Sequence, residues 1–165
     1  MTPEDALCST VTFTMARFEF REPDAAIDPW VVTGGVLMAQ QAAVLALRAA
    51  GDAIPAQAGG TELLLRAASK DRLPAPYTLP FGMAARQSFD RLVEARNAHM
   101  HPRGTVWIVS IDTLIRAMPV ATSVVRHLIL TQPMLPDLVS PDQQSKLRAD
   151  LQAIDDMAEF LSDDY

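Results

Sequence analysis

Three times in this chain a short polar residue stands directly before a proline: Thr2-Pro3-Glu4-Asp5, Asp28-Pro29 and Ser140-Pro141-Asp142-Gln143. A capping side chain followed by proline at the first helical position is a helix start, because the N–H that proline lacks would have no intrahelical partner there. The third case also has the spacing of a capping box, with Gln143 three residues after Ser140. These starts divide the chain into helical segments. The first is expected to run to about Phe20 with Leu7, Val11, Met15 and Phe18 as its buried stripe, although Val11 to Thr14 alternates enough to leave a strand open. Arg21 to Ala26 reads as a loop. The second helix starts after Asp28 and ends before Gly51, and the last covers about 141–161.

The interior of the chain follows the same grammar. Gly51 to Gly60 reads as a connection, and Thr61 to Leu65 opens a short third helix that cannot pass Pro74. After a proline-punctuated loop, a fourth helix is expected over about 81–100. The segment Thr105 to Ser110 is β-branched and aromatic, yet no second convincing strand exists to pair with it. Ser110 or Asp112 starts a further helix with the stripe Ile111, Leu114, Met118, Ala121, Val125 and Leu128, which Pro119 is expected to kink or split. The fold class that results is all-α, a bundle of five or six helices forming one domain over 1–165.

Trp30 to Leu47 carries no charge over 18 residues and reaches the length of a membrane span, but it contains Thr33, Gly34, Gly35, Gln40 and Gln41. A central helix buried by its neighbours is the better reading, and no membrane association is expected. Each of the two glycines lowers helix propensity by about 1 kcal/mol relative to alanine. Either another helix packs closely there or the helix begins later.

The formal charge of −6 excludes a generally basic nucleic-acid binder, since phosphate affinity is carried by Lys and Arg. It is also unevenly spread. Arg86, Arg91, Arg96 and Arg103 face only Asp90 and Glu94 between 86 and 103, whereas seven acids follow Ser140 against Lys146 and Arg148. Those acids read as the solvated face of the last helix or as a shield for a basic groove. A lone Cys8 and an N-terminus without a basic start and apolar run point to a reducing, cytoplasmic setting.

Polar chemistry interrupts the core pattern at one place. Ala85, Phe89 and Leu92 step along one helix face, and the next position in that stripe is Arg96. Asn97 follows, and His101 comes one turn later, directly before Pro102, which disfavours helical geometry at the residue preceding it. Arginine can hold two phosphate oxygens, and histidine can take or give a proton near neutral pH. The same residues also suit a plainer role at a helix end, bonding the last free carbonyls and favouring the dipole. Tyr77, in the preceding loop, can stack on a base or simply anchor the loop. His99 falls on the apolar side and is read as a core histidine. A metal site built from His99, His101 and His127 has no supporting Cys cluster or H-E-x-x-H pattern, and no metal or cofactor is expected. The sequence contains no G-x-S-x-G, phosphate loop or dinucleotide fingerprint.

Arg96-Asn97-Ala98-His99-Met100-His101-Pro102 resembles the R-N-x-x-x-H-P signature of the HEPN family, all-helical domains that include many RNases. The resemblance is strongest over about Tyr77 to Leu130. It implies a helical bundle, a homodimer with the two motifs facing each other, and metal-independent RNA cleavage, for which Arg96, Asn97 and His101 are the expected catalytic set; Arg103 and Tyr77 are expected substrate contacts on their own residue chemistry. Arg103 stands where the toxin branch that pairs with a nucleotidyltransferase antitoxin carries Tyr, so the likeness is to the family and not to that branch. RNA is the expected nucleic acid, and DNA is not. The rival from a different class is a non-catalytic helical dimer that binds a protein or nucleotide partner through the same groove.

Overall fold

The computed structural model describes residues 1–19, 27–74, 76, 78, 82–100, 109–131 and 139–163, without the side chains at 82, 85 and 163. Within them the chain forms six α-helices and no strand: α1 Pro3–Glu19, α2 Pro29–Ala49, α3 Gly60–Ala67, α4 Gly82–Met100, α5 Ile111–Val125 and α6 Pro141–Asp163. This is the all-α bundle that the helix starts predict. Most of the Thr105 to Ser110 segment, and the expected loop from Arg21 to Ala26, lie outside the described residues.

The three starts form as local chemistry dictates. Thr2 Oγ1 accepts from the Asp5 N–H at 3.1 Å while Asp5 accepts from the Thr2 N–H at 3.0 Å. Asp28 accepts from the Trp30 N–H at 2.9 Å. Ser140 and Gln143 exchange two such bonds, at 3.2 and 2.9 Å. Ser110 is the N-cap of α5 and accepts from the Thr113 N–H at 3.2 Å.

Helix α2 is the centre of the bundle, packed by α1, α3, α4 and α5. Gly34 and Gly35 explain how. A Cβ on Gly34 would lie 2.0 Å from Thr14 Oγ1 of α1, and one on Gly35 would lie 2.7 Å from Met118 Sδ of α5. Close packing, and not a later helix start, is therefore the reason for the pair. Helices α2 and α5 with its extension are both long and apolar enough to cross a membrane, but 67% and 61% of their apolar windows are buried inside this bundle.

The expected stripe of α1 is nearly right: Leu7, Val11 and Phe18 are fully buried, but Thr14 takes the fourth place and Met15 is only partly covered. Of the expected stripe, Leu114, Met118, Ala121 and Val125 of α5 and Leu128 just beyond it are buried, while Ile111 is only partly covered. Val120 and Val124 are buried too, because α5 packs against α2 and α4 and also against α6. Pro119 does not split it. The α register persists to Val125 before widening to a π-helical turn, Arg126–Thr131.

Helix α6 corrects the reading of its acids as a purely solvated face. Asp150 is buried and accepts from Thr12 Oγ1 of α1 at 2.6 Å and from Lys146 Nζ at 2.8 Å. Asp155 accepts from Thr122 Oγ1 at 2.6 Å and pairs with Arg126. Two of the acids thus bolt α6 to α1 and α5.

Candidate functional site

Helix α4 carries Arg96 into the bundle by its periodicity. Phe89 and Leu92 are fully buried, Val93 and Ala95 nearly so, and Arg96 follows in the same stripe where α4 packs on α2. Its side chain is partly buried. A guanidinium in that position needs hydrogen-bond acceptors to offset its lost hydration. Two side chains supply them. Nη1 donates to Asn97 Oδ1 at 2.9 Å, and Nη2 donates to Gln40 Oε1 of α2 in a short hydrogen bond.

Gln40 lies beside the start of α3. A Cβ on Gly60 would lie 3.2 Å from Val93 Cγ2, so the bare glycine lets the start of α3 approach α4 closely, with Gln40 Nε2 at 3.4 Å in ordinary contact. Nearby, Thr61 Oγ1 donates to Asp90 Oδ1 at 2.8 Å and ties the same end of α3 to α4. The arrangement holds the guanidinium from two sides, through Nη1 and Nη2.

The structure brings Arg96 and Asn97 together as the spacing predicts. Asn97 is itself exposed. His101, Arg103 and Tyr77 lie outside the described residues. His99 is corrected: it is exposed, and its ring meets the edge of Trp30 from α2 with centroids 6.0 Å apart and an interplanar angle of 84°. Its position, three residues beyond Arg96, is already past the buried stripe, so the apolar side of α4 does not extend to it. Among the described residues no three His, Cys, Asp or Glu side chains are grouped so as to hold a metal ion.

Gln40 is the site residue that sequence reasoning missed. The signal was present, since a glutamine pair interrupts an otherwise uncharged apolar helix. What no periodicity reveals is that α4 lays Arg96 against Gln40. Gln40 and Gln41 also line a trough of about 360 Å³ on the outer side of α2, between the start of α1 and α3. Searched against known proteins, the chain matches no family model, no curated protein and no solved structure.

Proposed function

We propose that this chain is a HEPN-like endoribonuclease that needs no metal and acts at a groove between two copies, with Arg96 and His101 at its centre. The observation that carries the reading is the anchoring of Arg96 by Gln40 and Asn97 in a stripe that otherwise holds only apolar side chains. A guanidinium built into a core edge and fixed in plane is pre-organised for a phosphate, and pre-organised charge is worth more in catalysis than charge that must first be oriented.

RNA carries its own nucleophile. His101 takes the proton from the 2′-hydroxyl, the 2′-oxygen attacks phosphorus, and the bond from phosphorus to the 5′-oxygen breaks. His101 of the partner subunit gives a proton to the leaving 5′-oxygen. The products are a 2′,3′-cyclic phosphate and a free 5′-hydroxyl. Arg96 neutralises the charge that builds on the phosphate oxygens, Asn97 holds the guanidinium, and Arg103 and Tyr77 contact the flanking chain. The non-catalytic alternative, a helical dimer that binds a protein or nucleotide partner, draws on exposed apolar side chains beside the motif, Trp30 and Met100.

The test is cleavage of end-labelled RNA in excess EDTA by the wild type, Arg96→Lys, His101→Ala and the double variant, with thermal unfolding measured on the same four proteins. Each single variant should lose a hundredfold or more, about the worth of general acid–base catalysis, with little change in melting temperature. The double variant should be little worse, because groups acting in one step are not additive. Strict dependence on added magnesium, or undiminished cleavage in both single variants, would rule the mechanism out. If the residues are only helix-end caps, each change costs at most about 1 kcal/mol of stability and leaves any activity in place.

A further inference from the structure

Arg96 differs from the other paired arginines of this bundle in the charge of its partners. Arg17, Arg66, Arg72, Arg86, Arg116 and Arg126 each pair with an aspartate. Among the described residues Arg96 pairs with no carboxylate, and the oxygens it bonds, Gln40 Oε1 and Asn97 Oδ1, belong to neutral amides. The acids of α4 are turned elsewhere. Asp90 accepts from Thr61 and pairs with Arg86, and Glu94, two positions before Arg96, does not share its helix face. Helix α2 adds no charge between Trp30 and Leu47. An amide oxygen satisfies a donor without cancelling its charge, so a half-buried guanidinium keeps a positive charge that no described residue balances. The fork is not closed either. Nε makes no hydrogen bond among the described residues, and no nitrogen of Arg96 is buried without a partner, unlike Arg86 Nε and Arg126 Nη2, so Nε of Arg96 meets solvent.

We propose that Gln40 is a positioning residue whose neutral amide holds Arg96 while leaving its counter-charge to be supplied by a phosphate of the RNA. The proposal rests on the ribonuclease reading and adds to it how the cation is kept available. A carboxylate in the place of the amide would hold the guanidinium at least as firmly and would also neutralise it, as in the six arginine–aspartate pairs. Glutamine and glutamate have nearly the same shape, so the choice between them at position 40 is a choice of charge. The arrangement sets stability against binding: a partly buried cation without a counter-charge destabilises the free protein, and a bound anion relieves it. In a chain of net −6 any affinity for phosphate must be local, and an uncompensated guanidinium at the core edge is such a place.

The experiment puts a carboxylate on the guanidinium at nearly constant shape. Gln40→Glu does so from α2 and Asn97→Asp from the exposed side of α4, while Ser145→Glu adds the same charge on the exposed side of α6 as a control. Binding of a fluorescein-labelled 2′-O-methyl oligoadenylate, which cannot be cleaved, is read by fluorescence anisotropy over a series of salt concentrations, and thermal unfolding is measured on the same proteins. Gln40→Glu should weaken binding about tenfold and flatten the slope of log Kd against log salt by about 0.7, one phosphate contact on a single strand. Its melting temperature should rise, since an ion pair replaces an uncompensated charge. Ser145→Glu should alter neither affinity nor slope. Weaker binding in a more stable protein is a combination that a merely structural glutamine does not produce. Should Gln40→Glu fail to fold, Asn97→Asp decides alone by the same readouts. Wild-type affinity and slope in the folded variants overturn the proposal, as does an equal loss in Ser145→Glu or a melting temperature that falls together with affinity. Cleavage of ordinary RNA by the same proteins separates the two readings. Binding that depends on the neutral amide without any cleavage by the wild type leaves the phosphate site standing and removes the ribonuclease; cleavage that is lost in His101→Ala but indifferent to Gln40→Glu and Asn97→Asp does the reverse.

Discussion

Gly34 shows how one missing methyl group organises a helical bundle. The hydroxyl of Thr14 occupies the place where its Cβ would be and is itself committed to the Thr10 carbonyl at 2.7 Å, so it cannot simply turn away. Alanine has the better helix propensity by about 1 kcal/mol, yet overpacking a closed interface typically costs about 1–3 kcal/mol. Gly34→Ala should therefore be net destabilising in urea unfolding. Gly51→Ala is the useful contrast: nothing lies within 4 Å of a Cβ there, but φ is +80°, and the left-handed backbone alone should cost about 1 kcal/mol. A Gly34→Ala protein more stable than wild type would remove the close α1–α2 approach as the reason for the glycine. Arg96 belongs to the same scale. Its inward direction follows from 3.6-residue periodicity, but the amide of Gln40 that makes that direction tolerable comes from 56 positions away.

At the scale of elements, the end of α2 is the best example of local and tertiary chemistry meeting. The Gly51 N–H donates to the Arg48 carbonyl and the Asp52 N–H to the Leu47 carbonyl, both at 2.9 Å, which closes the helix in a Schellman turn. That turn delivers Asp52 to α3 and the segment after it. Its side chain is only 4% exposed and is held by Arg66 at 3.0 Å and Arg72 at 2.5 Å. Burial pushes the Asp52 carboxyl upward, but the Arg72 and Arg66 guanidinium groups outweigh it and hold the group below the usual carboxylate range. A depressed folded pKa means stability that is present above the unfolded value of about 3.9 and lost as pH falls through the folded one. Between pH 7 and pH 3 the melting temperature of the wild type should thus fall further than that of Asp52→Asn, since the other acids titrate equally in both. Parallel curves would show that the pair contributes nothing to folding.

For the whole molecule, the exposed large apolar side chains bear on assembly. Trp30 of α2 is 48% exposed, and Met100 at the end of α4 is 49% exposed, beside the edge contact of Trp30 with His99. Such a surface next to the motif suits a second copy. Light scattering at micromolar concentration should give a mass near twice 18.0 kDa. A clean monomer would remove the arrangement in which one His101 serves as base and the other as acid.

Helix boundaries were legible because they are local. Caps, prolines and the left-handed glycine act within one turn of themselves, so α1, α2 and α6 begin, and α2 ends, at or within a residue of where their residues say. The inward direction of Arg96 and its meeting with Asn97 were legible for the same reason. What only the tertiary structure decided is which helix lies against which. Pro119 was absorbed and not allowed to split α5, since the packing of that helix against α2, α4 and α6 outweighs the one backbone hydrogen bond a proline removes. Asp150 and Asp155 turned inward because Thr12, Thr122 and Arg126 happen to face them from other helices. Gln40 was visible as a letter, but its role follows from the placement of α3 and α4 over α2, and side-chain partners tens of residues apart leave no periodic trace in a single sequence.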